Sequence, residues 1–150
     1  MHASMETPTH QVQLPCACAN LRRAARAVTQ LYDAELRAAG LTLTQFTLLQ
    51  ALDRTGAVTQ GRIGALLCMD STTLTRTLRP LVENRWIASA QGTDRRERHL
   101  QLTARGRKQL KRALPDWERA QSRLRNQLGA AGWNNLQSIL TAAAEAAVAA

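Results

Sequence analysis

The side chains in this sequence that could take part in binding chemistry are concentrated between residues 70 and 98. One group combines short hydroxyls with guanidinium groups and comprises Ser71, Thr72, Thr73, Thr75, Arg76 and Arg79. A second group sets an acidic residue among arginines and comprises Asp94, Arg95, Arg96 and Arg98. Hydroxyl and guanidinium groups donate hydrogen bonds to phosphate oxygens and to the edges of nucleic-acid bases. These two groups therefore predict a surface that binds a polyanion.

The net charge of the 150-residue chain is +9, and nearly all of it belongs to the same part of the chain. Residues 62–112 contain twelve Lys or Arg and four acidic residues, a net charge of +8. The residues before this segment contribute +1, and those after it contribute 0. A solvated basic face would explain a charge excess by itself. The helical periodicity of the same segment favours a polyanionic partner instead.

Apolar periodicity predicts the two helices that would position the first group. Thr59 can cap a short helix containing Ile63, Leu66 and Leu67, and Asp70 can cap the helix that follows. The buried side of that following helix is predicted to consist of Leu74, Leu78, Leu81 and Val82. Its opposite side would expose the hydroxyls and arginines.

Pro80 lies inside this second helix. A proline in a helix interior removes one backbone hydrogen bond and costs about 3 kcal/mol. We therefore expect a kink that separates an exposed, hydroxyl-bearing half from a packing half.

After Trp86 the pattern changes to the alternation that is typical of β-strands. Residues 86–91 and 98–103 predict two strands around Gly92, with Leu100 and Leu102 inward and with His99 and Gln101 outward. The segment between them, residues 93–98, is too charged for a core. A helix, a turn, a second helix and a charged hairpin predict a winged helix-turn-helix, the arrangement that places one helix in a DNA groove and a basic finger beside it.

Helices predicted at both ends of the chain frame this unit. A stripe from Leu21 to Leu36 predicts a helix over about residues 16–39, with Gly40 as its left-handed C-cap. A capping box at Thr42 and Gln45 opens the next helix, which Thr55 and Gly56 end. Thr103 would cap a long helix that bends at Pro115 and is broken by Gly129 to Gly132, and Trp133 lies in the last helix. The fold class is thus mainly α with a small β-hairpin wing, with about six helices. We expect it to be dimeric, because the first helix has little early sequence to pack on and the last helix is alanine-rich and weakly polar, which suits burial against a second subunit.

Three segments of the chain resemble the MarR family of bacterial transcriptional regulators. The matching segments are LTLTQFTLLQAL (residues 41–52), MDSTTLTRTLRPLVENRWI (69–87) and DRRERHLQLTARG (94–106), and the resemblance covers about residues 16–145. It implies a single MarR-like domain over 16–150 that follows a flexible arm over 1–15. Dimerisation helices would lie at about 16–39 and 104–148, and the winged helix-turn-helix at about 43–103.

The resemblance also implies a function and a contact in the wing. The chain would be a sequence-specific DNA-binding regulator, expected to be a repressor, that binds a pseudo-palindromic operator as a homodimer. A wing arginine would enter the minor groove, oriented by an aspartate two residues earlier, and Arg96 and Asp94 occupy those positions. Arg95 and Arg98 would contact phosphates. The alternative is that Asp94 and Arg96 pair only to rigidify the hairpin.

Two kinds of signal could release such a regulator from DNA. The first helix of this chain is similar to that of the organic-peroxide-sensing branch of the family. Cys18 occupies the position at which that branch has its reactive cysteine. Arg22 and the positive end of the helix would favour its thiolate. Arg22 and Leu43 stand where that branch has tyrosines, so electrophile, disulfide or soft-metal sensing by Cys16 and Cys18 is also open.

The second kind is a small aromatic acid or other lipophilic ligand in the cleft between the dimer base and the DNA-binding lobe, where Arg22 or Arg26 could pair with a carboxylate. The alternatives are that Cys16 and Cys18 are plain helix-start residues and that the two arginines are solvated surface residues. Cys68, in the turn before the second helix, is expected to be packed.

Other classes of protein fit less well. The sequence contains no Gly-rich phosphate loop and no His-Glu metal motif, so we predict neither an enzyme nor a cofactor, and no firm metal site. No apolar run approaches the roughly 20 residues that span a bilayer, and residues 1–14 lack the apolar core of a secretory signal. We therefore expect a cytoplasmic protein without a membrane partner. The remaining alternative is a sequence-tolerant architectural DNA-binding protein, which would not need a dimerising frame.

Overall fold

The computed structural model describes residues 13–150. Within this range the chain forms five α-helices and one antiparallel sheet of three strands. The elements are α1 (Ala17–Leu36), a 3₁₀ turn (Arg37–Ala39), α2 (Leu43–Thr55), β1 (Val58–Thr59), α3 (Gln60–Leu66), α4 (Ser71–Glu83), β2 (Ile87–Gln91), β3 (Arg98–Leu102) and α5 (Ala104–Ala149). Gly129, with φ of 69°, divides α5 into two helical segments, which gives the predicted number of about six helices. The predicted arm, residues 1–15, lies for the most part outside the described residues.

Hydrogen bonds from side chains to the backbone set the helix starts as predicted. Thr42 and Gln45 form the reciprocal capping box of α2, and Gly40 ends the 3₁₀ turn with φ of 71°. Asp33 adds a second link there, because its Oδ1 accepts a hydrogen bond of 2.6 Å from the backbone N–H of Leu43. Each bond satisfies a backbone donor that the first turn of a helix leaves unpaired.

The sheet has one strand more than the sequence indicated. The predicted hairpin is present, with Ile87 opposite Leu102 and Gln91 opposite Arg98. The two residues of β1 pair with the other edge of β3, where Val58 lies opposite Leu100. β1 leads directly into α3, so this pairing connects the wing to the start of α3 through the edge of β3 that does not pair with β2.

The core lies between α2, α4, the sheet and the first half of α5. Phe46, Leu49, Ile63, Leu81 and Leu100 are among its most buried side chains. The Phe46 ring stacks on that of Trp117, with 5.6 Å between ring centroids, which connects α2 with α5.

The predicted burial of Val82 is wrong, and Leu66 in the short helix α3 is exposed as well. Leu66 is 58% exposed and Val82 is 37% exposed, because each lies at the edge of the buried stripe of its helix.

α4 continues through Pro80 as one helix over residues 71–83. Leu74 and Leu78 are buried before the proline, so the predicted separation of an exposed half from a packing half is wrong. The kink itself stays a prediction. The carbonyl that loses its donor to Pro80 belongs to Arg76, an exposed residue, so water can replace the missing bond. The long helix α5 likewise continues through Pro115.

Polar contacts join α1 to α5. Glu35 accepts hydrogen bonds from Arg123 (2.6 Å) and Arg119 (3.2 Å), and these bonds hold the pKa of Glu35 below its usual range. The hydroxyl of Tyr32 donates to Gln121 Oε1, and burial raises the pKa of this tyrosine. The first helix is therefore held against the middle of α5.

The end of α4 is connected to the start of α5 through Thr103. Its hydroxyl donates to the Arg85 carbonyl at 2.7 Å, lies 3.1 Å from the Trp86 carbonyl and accepts from the Gly106 N–H at 2.9 Å. Arg85 itself has a positive φ of 60°, which lets Trp86 N–H bond back to the Leu81 carbonyl at 2.9 Å. The first turn of α5 is thereby packed against the backbone that follows α4.

Gly106 is required by this close approach. A Cβ atom at position 106 would lie 2.0 Å from the Trp86 carbonyl oxygen and 2.7 Å from a Leu102 methyl. We predict that Gly106→Ala lowers the free energy of unfolding by about 1–3 kcal/mol or more, because backbone must move to admit the methyl. Urea unfolding followed by circular dichroism measures it.

Gly61→Ala is the matched control for this substitution. Gly61 is also helical, and a Cβ there meets nothing within 4 Å. It should leave stability unchanged or raise it by about 0.5–1 kcal/mol. Equal stabilities for the two variants would contradict the role assigned to Gly106.

Candidate nucleic-acid interface

The exposed side of α4 presents the first predicted group of side chains. Leu74, Leu78 and Leu81 are buried and fix the orientation of the helix. The six predicted residues, Ser71, Thr72, Thr73, Thr75, Arg76 and Arg79, are all exposed. The helix thus has one apolar side that anchors it and one side of hydrogen-bond donors that faces outward.

Asp70 organises the start of α4. Its carboxylate accepts hydrogen bonds from the Thr73 N–H at 2.8 Å and from the Thr73 hydroxyl at 2.7 Å. These bonds, the backbone bond first, lower the pKa of Asp70, so the carboxylate is ionised at neutral pH. The hydroxyl hydrogen of Thr73 is used within the protein.

The turn between α3 and α4 differs from expectation at Cys68. This residue has φ of 50° and its thiol is exposed, so the prediction of a packed thiol is wrong. The left-handed backbone lets Met69 N–H bond to the Gly64 carbonyl at 2.9 Å, and this bond ends α3. With this backbone, the side chain of residue 68 lies outside the core.

The tip of the wing is a turn closed by its own hydrogen bonds. Asp94 Oδ1 accepts from the backbone N–H of Arg96 at 2.9 Å, and the Glu97 N–H bonds to the Asp94 carbonyl at 3.0 Å. The predicted link between Asp94 and Arg96 is therefore made to the arginine backbone. Within residues 13–150, no hydrogen bond or ion pair occupies the guanidinium of Arg95 or Arg96. Arg98 is partly engaged, since its Nη1 donates to Ser89 Oγ at 3.3 Å.

Two concave surfaces bring parts of both groups together. We call the first the wing groove; it has a volume of about 560 Å³ and lies between α3, the start of α4 and the wing. Ser71, Arg95, Arg96 and Arg98 line it. We call the second the hairpin cleft; it has a volume of about 360 Å³ and lies between α4 and the strands. Thr75, Arg79 and Arg98 line this cleft.

The remaining predicted residues line neither surface. Thr72, Thr73 and Arg76 lie on the exposed side of α4, and Asp94 lies at the wing tip. Gln60 lines both the wing groove and the hairpin cleft and was missed in the sequence. Its contact is with a residue fifteen positions away, which no local pattern encodes.

The four predicted sensing residues lie on or next to α1. Cys16 is the N-cap of this helix and Cys18 lies in its first turn, and both thiols are exposed. Arg22 and Arg26 are exposed on the same helix, and neither lines the wing groove or the hairpin cleft. In the part of the chain that the structure describes, no group of three or more His, Cys, Asp or Glu is placed to hold a metal ion. Nor does any helix there have the length and apolar character to cross a membrane.

An exposed helix after a tight turn, with a basic hairpin beside it, defines a winged helix-turn-helix protein. Residues 41–97 match the model of the MarR family. The chain is also 34% identical to the transcriptional regulator MosR of M. tuberculosis, whose crystal structure is a complex with DNA; the match covers 89% of this chain and 97% of MosR, with a TM-score of 0.80. The chain therefore belongs to the MarR family.

Two further relatives agree with this assignment. The HTH-type transcriptional regulator YwoH of Bacillus subtilis is 33% identical over 88 residues, which cover 59% of this chain and 64% of YwoH. The transcriptional repressor CouR, whose structure is bound to a 23-mer DNA duplex, is 27% identical with a TM-score of 0.77, over 86% of this chain and 92% of CouR. These relatives are transcriptional regulators rather than enzymes, which agrees with the prediction for this chain.

Proposed function

We propose that this protein is a sequence-specific DNA-binding regulator, a repressor that binds a pseudo-palindromic operator as a homodimer. The observation that carries the proposal is that the exposed side of α4 and the wing arginines converge on one face of the DNA-binding lobe, the winged helix-turn-helix of about residues 43–103. Ser71 from the helix and Arg95, Arg96 and Arg98 from the wing line the same groove. A helix with short donors at its start can lie in a major groove, while the unoccupied guanidinium groups of the wing reach phosphates or the minor groove.

The wing contact proposed for Arg96 gains support from the turn at Asp94. Because Asp94 bonds to the Arg96 backbone N–H, the carboxylate shapes the turn without neutralising the guanidinium. Asp94 would therefore orient Arg96 through the backbone and leave its charge for DNA. This geometry favours the DNA-contact interpretation over a pair that only rigidifies the hairpin.

The homodimer is proposed from the outer helices, about residues 16–39 and 104–148. Several large apolar side chains of α5 are 37–76% exposed in the single chain, namely Leu114, Leu128, Ile139, Leu140 and Val148. Burial of such side chains against a second copy would remove apolar surface from water. Two-fold symmetry would then place two α4 helices in successive major grooves, about 34 Å apart.

An architectural protein that binds DNA of any sequence is the second candidate. The basic excess of residues 62–112 would suffice for such binding. The orientation of α4 favours the specific regulator, because hydroxyl groups held on a rigid, buried scaffold can distinguish base edges.

The release signal is proposed to be an oxidant, a thiol-reactive compound or a small molecule. The exposure of Cys16 and Cys18 at the start of α1 supports a thiol-directed signal. Arg22 and Arg26, exposed on the same helix, are the candidates for pairing with a small aromatic acid. Which of these signals acts is decided by the thiol experiment below.

Arg76→Ala and Arg96→Ala test the DNA contacts. Each should weaken binding to the operator by about tenfold, since each removes a cation directed at DNA. A variant that loses a phosphate contact should also lower the slope of log affinity against log salt by about 0.9. Fluorescence anisotropy with labelled operator, from low to physiological salt, measures both quantities.

Arg37→Ala is the control for the loss of one positive charge. Arg37 is exposed in the 3₁₀ turn, outside both the wing groove and the hairpin cleft. It should bind operator almost as well as the unmodified protein. Unchanged affinity for both Arg76→Ala and Arg96→Ala at every salt concentration would show that the assigned contacts are wrong.

Cys18→Ser tests the thiol signal. Treatment with an organic peroxide or a thiol-reactive metal should release the unmodified protein from operator, while Cys18→Ser should remain bound because it cannot form a thiolate. Cys68→Ser, which removes another exposed thiol, should be released like the unmodified protein. Release of Cys18→Ser under the same treatment would remove the thiol hypothesis, and a thermal-shift screen with phenolic acids would then test the small-molecule signal.

A further inference from the structure

Gln60 connects α3 to the exposed side of α4. It is the first residue of α3 and is half-buried, and its Nε2 donates a hydrogen bond of 3.2 Å to the hydroxyl oxygen of Thr75. Gln60 also lines both the wing groove and the hairpin cleft, so it lies between the helix and the wing arginines. Its amide therefore reaches a side chain that is directed at the proposed DNA surface.

The direction of this bond determines whether the Thr75 hydroxyl can donate a hydrogen bond to a group outside the protein. A threonine hydroxyl has one hydrogen to donate and two lone pairs that accept. In the observed orientation of the Gln60 amide, with Nε2 toward Thr75, the threonine oxygen accepts. The hydroxyl hydrogen of Thr75 then remains available for a group outside the protein.

Two neighbouring threonines on α4 lack this freedom. Thr73 donates its hydroxyl hydrogen to Asp70 at 2.7 Å, and Thr77 donates to the Thr73 carbonyl at 2.9 Å. An ionised carboxylate and a carbonyl oxygen only accept, so both assignments are fixed by chemistry. Among these three threonines, Thr75 alone keeps its hydrogen.

Thr75 is exposed, and its hydroxyl is attached directly to Cβ. Such a short side chain reaches only groups that lie close to the helix backbone, whereas Arg79 and Arg98 beside it can extend to phosphates. When a helix lies in the major groove, the base acceptors that it approaches most closely are purine N7, guanine O6 and thymine O4.

We propose that Gln60 is a positioning residue that holds the Thr75 hydroxyl as a hydrogen-bond donor to one of these base acceptors. The inference rests on the proposed function and adds the chemical class of the base atom that position 75 reads. It also predicts that the identity of residue 60, which lies in α3 and outside α4, determines specificity at one base pair of each half-site.

Gln60→Glu reverses the bond. A carboxylate cannot donate, so Thr75 would give its hydrogen to Glu and turn its lone pairs outward. The preferred partner should change from an acceptor to an exocyclic amine, either adenine N6 or cytosine N4. Selection from a random DNA library, followed by affinities on operators that vary at single positions, should show a change of about tenfold in discrimination at one base pair of each half-site.

Gln50→Glu is the matched control, because it introduces the same charge in the same lobe on α2, outside both concave surfaces. It should leave the base preference unchanged, and thermal unfolding of each variant reports whether it is folded. Thr75→Val removes the hydroxyl with little change in shape and should lose discrimination at the same base pair. In the Thr75→Val background, Gln60→Glu should act only as Gln50→Glu does.

Three results would overturn the inference. One is a base preference of Gln60→Glu identical to that of Gln50→Glu, and another is retained discrimination in Thr75→Val. The third is a loss of affinity that is uniform across sequences and vanishes in the Thr75→Val background, which would place the donor on a phosphate. If the unmodified protein selects no sequence at all, it is the proposed function that fails, and that outcome is distinct from these three.

Discussion

The close approach of α5 to the Trp86 carbonyl is the constraint on which the rest of the structure depends. Gly106 permits this approach, because any side chain at that position would collide with backbone. Thr103 then bonds to the carbonyls of Arg85 and Trp86 and also caps α5. The long helix that carries the proposed dimer surface is therefore fixed to the end of α4. In a dimer, this junction would set the distance and angle between the two copies of α4, which links packing energy to operator geometry.

Within the lobe, hydrogen bonds determine which polar groups remain for DNA. Asp70 caps α4 by accepting from the Thr73 N–H, and it also accepts from the Thr73 hydroxyl. Asp94 accepts from the Arg96 N–H and so shapes the wing turn. In both cases an acidic residue shapes the backbone beside a basic surface. The Arg96 guanidinium and the Thr75 hydroxyl hydrogen remain available to bind DNA. The bonds made by Asp70, Asp94 and Gln60 therefore determine which donors face outward. Specific reading of DNA requires such fixed donors, whereas phosphate attraction alone requires only charge.

The features that could be predicted from the sequence are those encoded within a few residues. The caps at Thr42 and Asp70 depend on bonds that span three positions, and the alternation at Leu100 and Leu102 reports one face of a strand. The missed features depend on residues far apart in the chain. β1 is a strand because it lies beside β3, and Gln60 matters because Thr75 lies within its reach. The sequence placed Gly106 in a recognisable motif, but the Trp86 carbonyl that requires it became visible only in three dimensions. The exposure of Leu66 and Cys68 follows from how α3 ends and packs, which periodicity does not report.

A rigid lobe with fixed donors is proposed to recognise a particular DNA sequence as a dimer. The most direct measurement is selection of bound duplexes from a random library at physiological salt, followed by titration of the selected duplex against random duplex of equal length. We expect the selected sequences to contain an inverted repeat with half-sites about one helical turn apart, bound at least about 10³-fold more tightly than random DNA. Equal affinity for selected and random duplexes, with no repeat among the recovered sequences, would contradict this proposal and would favour an architectural protein.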